Sequence, residues 1–244
     1  MTEQLPLLIA AVFTVALLYA SVGHAGASGY IAVISLLGLA PDSIKPLALM
    51  LNVLVASIGS VQFWRAGHFR WSLYWPFALA ALPCAALGGY LQLPTLGFQM
   101  LVGLALLLSA ANLLLRPPPE TTTRPPPLPL ALAVGAGLGL LAGLTGTGGG
   151  IYLTPLMLFL RWAPMRQVAA VSAPFILLNS LAGLAGHFAA GQALPTLAAP
   201  LLLAVGLGGL IGARLGALHL PVASIKRLLS LVLLFAGLKL VRLI

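Results

Sequence analysis

Charged residues are scarce in this sequence. They make up 6% of its 244 residues, whereas hydrophobic residues make up 61%. A soluble globular domain carries about 25% charged residues, so this chain lacks the charge that would cover a soluble surface. The composition predicts an integral membrane protein with many helices.

Acidic residues are scarcer still, and none lies inside an apolar run. The three that occur, Glu3, Asp42 and Glu120, fall in predicted loops or near a terminus. This pattern argues against a proton relay or a sodium site built on carboxylates within the membrane. It also suits an anionic substrate, which buried carboxylates would repel.

Cysteine is nearly absent as well, since Cys84 stands alone in an apolar run. The sequence therefore offers no disulfide framework and no thiolate metal cluster. An intramembrane enzyme would need a nucleophile beside a base, or a metal cluster, and the four scattered histidines offer neither. We predict a protein that is not an enzyme and that has no metal site and no cofactor.

The twelve basic residues give the chain a net charge of +9. Most of them flank apolar segments, where Lys and Arg act as topology signals and contact lipid headgroups. We therefore predict membrane lipids as partners, and no nucleic acid. The first apolar run, residues 5–22, follows a start without basic residues, which favours a retained helix over a cleaved signal peptide.

Glycine is concentrated in two stretches that lie between apolar runs. The second glycine loop, residues 143–155, is Gly-Leu-Thr-Gly-Thr-Gly-Gly-Gly-Ile-Tyr-Leu-Thr-Pro, and the first glycine loop, residues 21–29, is Ser-Val-Gly-His-Ala-Gly-Ala-Ser-Gly. Without a Walker lysine or a preceding strand, neither is a soluble phosphate loop. Irregular backbone at membrane depth is tolerated only where it is buried in protein or lines a watery cavity.

A helix that restarts in such a loop directs free N–H groups and the positive end of its dipole into that cavity. We therefore predict that each loop breaks a helix and that the two loops together form an anion site. The alternative is that the glycines only allow close helix packing. Packing is the role we predict for two ridges with four-residue spacing, namely Gly135, Gly139 and Gly143, and Gly208, Gly212 and Gly216.

The chain divides into two similar halves around a polar, proline-rich linker. We predict a first transmembrane repeat over residues 1–115, an extended linker over 116–129 and a second repeat over 130–244. A polyproline ligand for a soluble partner is the alternative for the linker. Matched residues recur at a spacing of 124, namely Gly67 with Gly191, Pro76 with Pro200, and Gly88 with Gly212.

The distribution of basic residues favours halves of opposite orientation. If each half crosses the membrane an odd number of times, nine basic residues fall on one side (Arg65, Arg70, Arg116, Arg124, Arg161, Arg166, Arg214, Lys226 and Arg227), and three fall on the other (Lys45, Lys239 and Arg242). An even number of crossings gives six on each side. The positive-inside rule favours the first division. It does not separate a re-entrant pair from two full crossings.

The sequence therefore predicts an all-α polytopic membrane protein of about 8–10 membrane segments. Its two repeats would have inverted topology, with discontinuous or re-entrant helices at the glycine loops.

The predicted substrate site combines backbone and side-chain donors from both halves. It comprises His24, Gly26, Ser28, Gly29, Asn52, Thr145, Gly146, Thr147, Gly148, Gly149, Gly150 and Asn179. For the two amides the alternative is an interhelical hydrogen bond, worth about 0.6 kcal/mol in membranes. His24 and His187 are the candidates for proton coupling. The alternative for His24 is a neutral ring bonded to a backbone carbonyl, and the alternative for His187 is a role at the membrane interface.

Residues 145–155, Thr-Gly-Thr-Gly-Gly-Gly-Ile-Tyr-Leu-Thr-Pro, resemble the second-repeat motif of the TauE/SafE sulfite exporter family, also called TSUP. Three further features fit this family. They are the shorter first glycine loop as the first-half counterpart of the motif, the Arg-Ala-Gly-His-Phe sequence at 65–69, and the two halves joined by a polar linker. The first loop departs from the motif at His24 and Ser28, where more glycine is expected. The resemblance implies a bacterial-type inner-membrane transporter of sulfite, organosulfonates or related sulfur-containing anions, usually an exporter.

We accordingly predict a secondary transporter of a small anion that works by alternating access. The alternatives are an anion channel of the same architecture, a transporter of another small anion, and a helical scaffold without a substrate. A homodimer is left open.

Overall fold

The computed structural model describes residues 5–37, 41–91, 123–191 and 198–219, with scattered positions between 97 and 114 and between 221 and 241. Every secondary-structure element among these residues is an α-helix, which confirms the predicted all-α class. Several residues used in the charge and linker predictions lie outside the described part, namely Glu3, Arg116, Glu120, Lys226, Lys239 and Arg242.

The described helices follow the same order in both halves. The first half contains α1 (Leu5–Ala20), α2 (Ala27–Leu36), α3 (Pro41–Arg65) and α4 (Trp71–Tyr90). The second contains α5 (Leu128–Thr145), α6 (Gly150–Phe159), α7 (Met165–Ala189) and α8 (Ala198–Leu218). Helix α5 thus begins two residues before the predicted start of the second repeat at residue 130.

Five of these helices, α3, α4, α5, α7 and α8, are long and apolar enough to cross a membrane. Helices α2 and α6 have 10 residues each, or about 15 Å, which is half of a hydrocarbon core of about 30 Å. Burial is inverted relative to a soluble protein, because Leu203 and Trp64 are about 70% exposed while Asn52 and Asn179 are fully buried. The chain is an integral membrane protein.

Both glycine loops break a helix, as predicted. Helix α2 begins directly after Gly26 and helix α6 directly after Gly149, and these two residues have φ angles of 100° and 81°. Gly146, with φ 72°, ends α5. Such left-handed conformations strain any residue that has a Cβ by about 1–2 kcal/mol, so glycine is favoured at these positions.

Helices α3 and α7 cross the centre of the molecule in opposite directions. A Cβ built on Gly183 would lie 3.4 Å from Leu49, and one on Gly59 would lie 3.5 Å from Ala173. Between these contacts Asn52 Nδ2 donates to Ser180 Oγ over 3.4 Å. Positions increase along α3 as they decrease along α7, so the two helices are antiparallel.

Two long helix pairs enclose this centre, with α4 packed on α5 and α1 packed on α8. The glycine ridges form both contacts. A Cβ at Gly139 would lie 2.6 Å from Ala81 Cα, and one at Gly212 would lie 2.8 Å from Leu17 C. The packing role predicted for the ridges is confirmed, since the backbones approach too closely for any side chain.

Candidate functional site

The second glycine loop contains a backbone turn in which most residues have no side chain. Gly146, Gly148 and Gly149 all have φ between 71° and 81° and are buried, and helix α6 starts immediately after them. The N–H groups of Tyr152 and Leu153 donate to Gly149 O, each over 3.1 Å, and the start of α6 carries the positive end of the helix dipole. The loop therefore directs partial positive charge at the protein interior.

Amide and hydroxyl side chains from α3 and α7 meet this loop. A Cβ built on Gly148 would lie 2.7 Å from Asn52 Nδ2 and 2.9 Å from Ser180 Oγ. One built on Gly149 would lie 3.3 Å from Asn179 Nδ2. The antiparallel crossing of α3 and α7 thus places polar groups from both halves against the same turn.

Three polar atoms of these amides have no hydrogen-bond partner. They are Asn52 Oδ1, Asn179 Nδ2 and Asn179 Oδ1, and both side chains have 0% exposure. Leaving a buried polar group unsatisfied costs about 1–3 kcal/mol, which native structures usually avoid. Unsatisfied amides beside a helix N-terminus form a site suited to a small polar ligand.

The threonines of the loop bond mainly to the loop itself. Thr145 Oγ1 donates to Leu141 O over 2.6 Å and lies 2.8 Å from Thr147 Oγ1 and 3.4 Å from Tyr152 OH. These bonds close the last turn of α5 and tie it to the start of α6. In this arrangement Thr145 and Thr147 hold the shape of the turn.

His24 connects the first glycine loop to the second. Its Nε2 lies 3.0 Å from Gly150 O in the first turn of α6, and the ring is buried. Because a carbonyl oxygen only accepts, Nε2 carries the proton in this bond. This geometry matches the alternative of a ring bonded to a backbone carbonyl. A role in proton coupling stays a prediction.

The other predicted residues of the first loop pack within their own half. Ser28 Oγ donates to Tyr19 OH over 3.0 Å. A Cβ on Gly26 would meet Tyr30 at 2.9 Å, and one on Gly29 would meet Val15 at 2.6 Å. The structure therefore brings His24 to the second loop, but does not bring Gly26, Ser28 or Gly29 there.

His187 lies further along α7, eight residues beyond Asn179 and therefore about 12 Å away along the axis. It is buried, and its ring contacts the ring of Phe188.

Two residues near the second loop were absent from the predicted site. Ser180 directly follows a predicted amide, and Lys45 was interpreted only as a topology charge.

Comparison with known proteins identifies the family to which this architecture belongs. The family described as "Sulfite exporter TauE/SafE" matches residues 8–240. The chain belongs to the TauE/SafE family. It is also 44% identical over 244 residues to the probable membrane transporter protein y4hK of Sinorhizobium fredii, covering 98% of each chain. No solved structure matches it.

The TauE/SafE match and this relative support a membrane transporter of the family, and both names point to a transporter rather than an enzyme. A bacterial inner membrane is consistent with the relative's source. The resemblance found in residues 145–155 is confirmed at the level of the family.

Proposed function

We propose that this protein is a secondary transporter that exports a small oxyanion, such as sulfite or an organosulfonate. The observation that carries the proposal is the meeting of unsatisfied amides from α3 and α7 at the N-terminus of α6. The proposed binding groups are Asn52, Asn179, Ser180 and the backbone N–H of Gly150 at the start of α6.

The chemistry of these groups suits an oxyanion. Asn179 Nδ2 is a donor without a partner, and the helix dipole adds roughly half a positive charge. The unsatisfied Oδ1 atoms of Asn52 and Asn179 accept hydrogen bonds, so they suit the hydroxyl of a protonated oxyanion. The groups that line the site are neutral, and they hold an anion less tightly than an ammonium or guanidinium fixed in the site would, which allows release. The absence of Asp and Glu from the apolar runs removes repulsion.

The packing of the two halves supports alternating access. Helices α3 and α7, at corresponding places in the two halves, run antiparallel, as they would in repeats of inverted topology. Helix α4 of the first half corresponds to α8 of the second, and α1 corresponds to α5. The packed pair α4 with α5 therefore has its counterpart in the packed pair α8 with α1. Rocking one half against the other about the second loop would expose the site to each side in turn.

Ligand-induced thermal stabilisation of the purified protein tests this function. The panel comprises sulfite, sulfate, thiosulfate, taurine, sulfoacetate, acetate and phosphate. A ligand that binds only the folded state raises the melting temperature by mass action. We expect a shift with a sulfur oxyanion that is lost in Asn179→Leu. The matched control Ser57→Ala should keep it, because Ser57 Oγ donates to Val53 O within its own helix.

Counterflow in proteoliposomes then separates a carrier from a channel. A carrier loaded with unlabelled substrate inside accelerates uptake of labelled substrate, and the uptake saturates. A channel shows neither property. Thermal shifts for no anion in the panel would contradict the proposed function.

A further inference from the structure

The inference concerns Lys45, a basic residue near the start of α3. Its ammonium Nζ donates to the carbonyl oxygens of Gly88, Gly89 and Leu91 over 3.1, 3.2 and 3.1 Å. These carbonyls lie at the end of α4, where a helix leaves acceptors without internal partners. Lys45 therefore ties α3 to α4 at one end of the bundle.

The same residue also contacts the second glycine loop. A Cβ built on Gly146 would lie 3.0 Å from Lys45 Cγ and 3.3 Å from Lys45 O. Gly146 ends α5 and lies two residues before Gly148 in the same left-handed turn. One side chain thus joins the end of α4 to the loop at which we place the anion.

The corresponding place in the other half is arranged differently. Gly23 lies 123 residues before Gly146, and Ala169 lies 124 residues after Lys45. A Cβ built on Gly23 would lie 2.6 Å from Ala169 Cβ. Gly23 therefore contacts Ala169 in the first loop, as Gly146 contacts Lys45 in the second. Alanine has no ammonium to reach a helix end, and a small pocket of about 20 Å³ lies there, lined by residues that include Ser21, Phe63, Arg166, Ala169 and Gly216.

The pocket and the lysine lie at opposite ends of the molecule. Lys45 is near the start of α3, and Phe63, which lines the pocket, is near its end. Eighteen residues of helix separate them by about 27 Å, close to the thickness of a hydrocarbon core. Among the described residues, Lys45 thus ties α3 to α4 at one end, and the pocket lies at the other.

We propose that Lys45 is a substrate-responsive latch on the end of the bundle next to the second glycine loop. The carbonyls of α4 hold its ammonium while the site is empty. An oxyanion at the loop competes for the ammonium, because a charge-assisted bond to an anion is stronger than one to a neutral carbonyl. Transfer of the ammonium to the anion releases the end of α4 and opens that end. This inference rests on the proposed function.

Reciprocal thiol labelling tests the latch in a Cys84→Ala background, which removes the single native cysteine. Ala48→Cys reports on the Lys45 end, because residue 48 is buried one turn beyond Lys45. Ser21→Cys reports on the pocket end. Labelling rates are measured with a small methanethiosulfonate reagent on purified protein, so that both ends are accessible.

We expect Lys45→Met to raise the labelling rate at position 48 at least tenfold and to lower the rate at position 21. Lys45→Arg, which keeps the charge, should leave both rates within about twofold of the parent. A purely structural cap predicts another outcome for Lys45→Met, in which both rates rise together as the protein loosens. That outcome, or unchanged rates, would overturn the latch.

A second measurement needs no substitution of Lys45. The anion added to the two reporter proteins is the one that gives the largest thermal shift among sulfate, taurine, sulfoacetate, acetate and phosphate, because sulfite and thiosulfate attack the methanethiosulfonate reagent itself. We expect faster labelling at position 48 and slower labelling at position 21. An anion that shifts the melting temperature but leaves both rates unchanged would refute the latch and leave the transporter standing. If no anion in the panel shifts the melting temperature, the proposed function is refuted, and so is the response of the latch to an anion.

Discussion

At the scale of single residues, glycines with the same backbone conformation have different surroundings. Gly67 and Gly149 have φ angles of 76° and 81°. A Cβ on Gly67 would meet nothing within 4 Å, whereas one on Gly149 would meet Phe175 at 2.9 Å, Ala142 at 3.2 Å and Asn179 Nδ2 at 3.3 Å. Of these two glycines, Gly149 alone would combine backbone strain with steric crowding if it were replaced.

This contrast makes a matched pair of variants. Gly67→Ala should cost about 1 kcal/mol of stability, the strain of a left-handed alanine, and should leave transport close to that of the parent. Gly149→Ala should pay the same strain and also displace Asn179, so we expect a loss of transport of at least tenfold. Transport assays normalised to folded protein provide the comparison. Equal transport by the two variants would show that the turn does not form the site.

The unsatisfied amide of Asn179 predicts an inverse relation between stability and binding. Replacing it by leucine removes two buried atoms without partners, so Asn179→Leu should raise the melting temperature of the unliganded protein by a few degrees. Gln62→Leu is the control, because Gln62 Nε2 donates to Leu210 O over 3.1 Å, and its loss should lower or preserve stability. A destabilised Asn179→Leu protein would mean that the amide has a structural partner.

At the scale of helices, the close contact of α4 with α5 depends on which glycine faces the partner. Gly139 faces the backbone of Ala81, and Gly137, two residues earlier on the same helix, faces open space. We expect Gly139→Ala to destabilise the protein by about 1–3 kcal/mol through overpacking. Gly137→Ala should be neutral or stabilise it by up to about 1 kcal/mol. Thermal unfolding in one detergent measures both, and equal effects would rule out the ridge as a tight contact.

The connection between the two broken helices rests on His24. His24→Phe keeps a ring but removes the donor to Gly150 O, so we expect at least a tenfold loss of anion affinity. Ser28→Ala should change affinity less than threefold, because the Ser28 hydroxyl bonds Tyr19 within the first half. Anion titrations followed by thermal shift measure both variants. A larger loss of anion affinity in Ser28→Ala than in His24→Phe would show that the first glycine loop contributes to the binding site.

At the scale of the whole molecule, the basic residues predict orientation in the membrane. Gly67 and Leu91 lie at opposite ends of α4, a candidate membrane span. In a Cys84→Ala background, an impermeant thiol reagent added to intact cells should label Leu91→Cys and spare Gly67→Cys, whose loop contains Arg65 and Arg70. Labelling of both positions in broken cells is the control. The reverse pattern in intact cells would invert the topology.

Much of the architecture follows from local features of the sequence. Scarce charge excludes a soluble surface, and left-handed turns favour glycine, although Arg161 also adopts this conformation with φ 57°. The breaks at Gly26 and Gly149 and the packing ridges could therefore be predicted without any long-range information. Composition and local backbone sterics act through each residue and its near neighbours, which the sequence lists in full.

The membership of the candidate site depended on the tertiary structure. The sequence placed residues of both glycine loops in the site, yet the unsatisfied amides lie beside Gly148 and Gly149 of the second loop, and Ser28 bonds to Tyr19. The partners of Asn52 and Lys45 depend on the rotation of α3 about its axis and on where α7 and α4 cross or end beside it. Those positions result from packing over the whole bundle, and periodicity alone cannot assign them. The sequence by itself determined a membrane protein with two broken helices, and only the packing of α3 against α7 decided which polar side chains meet there.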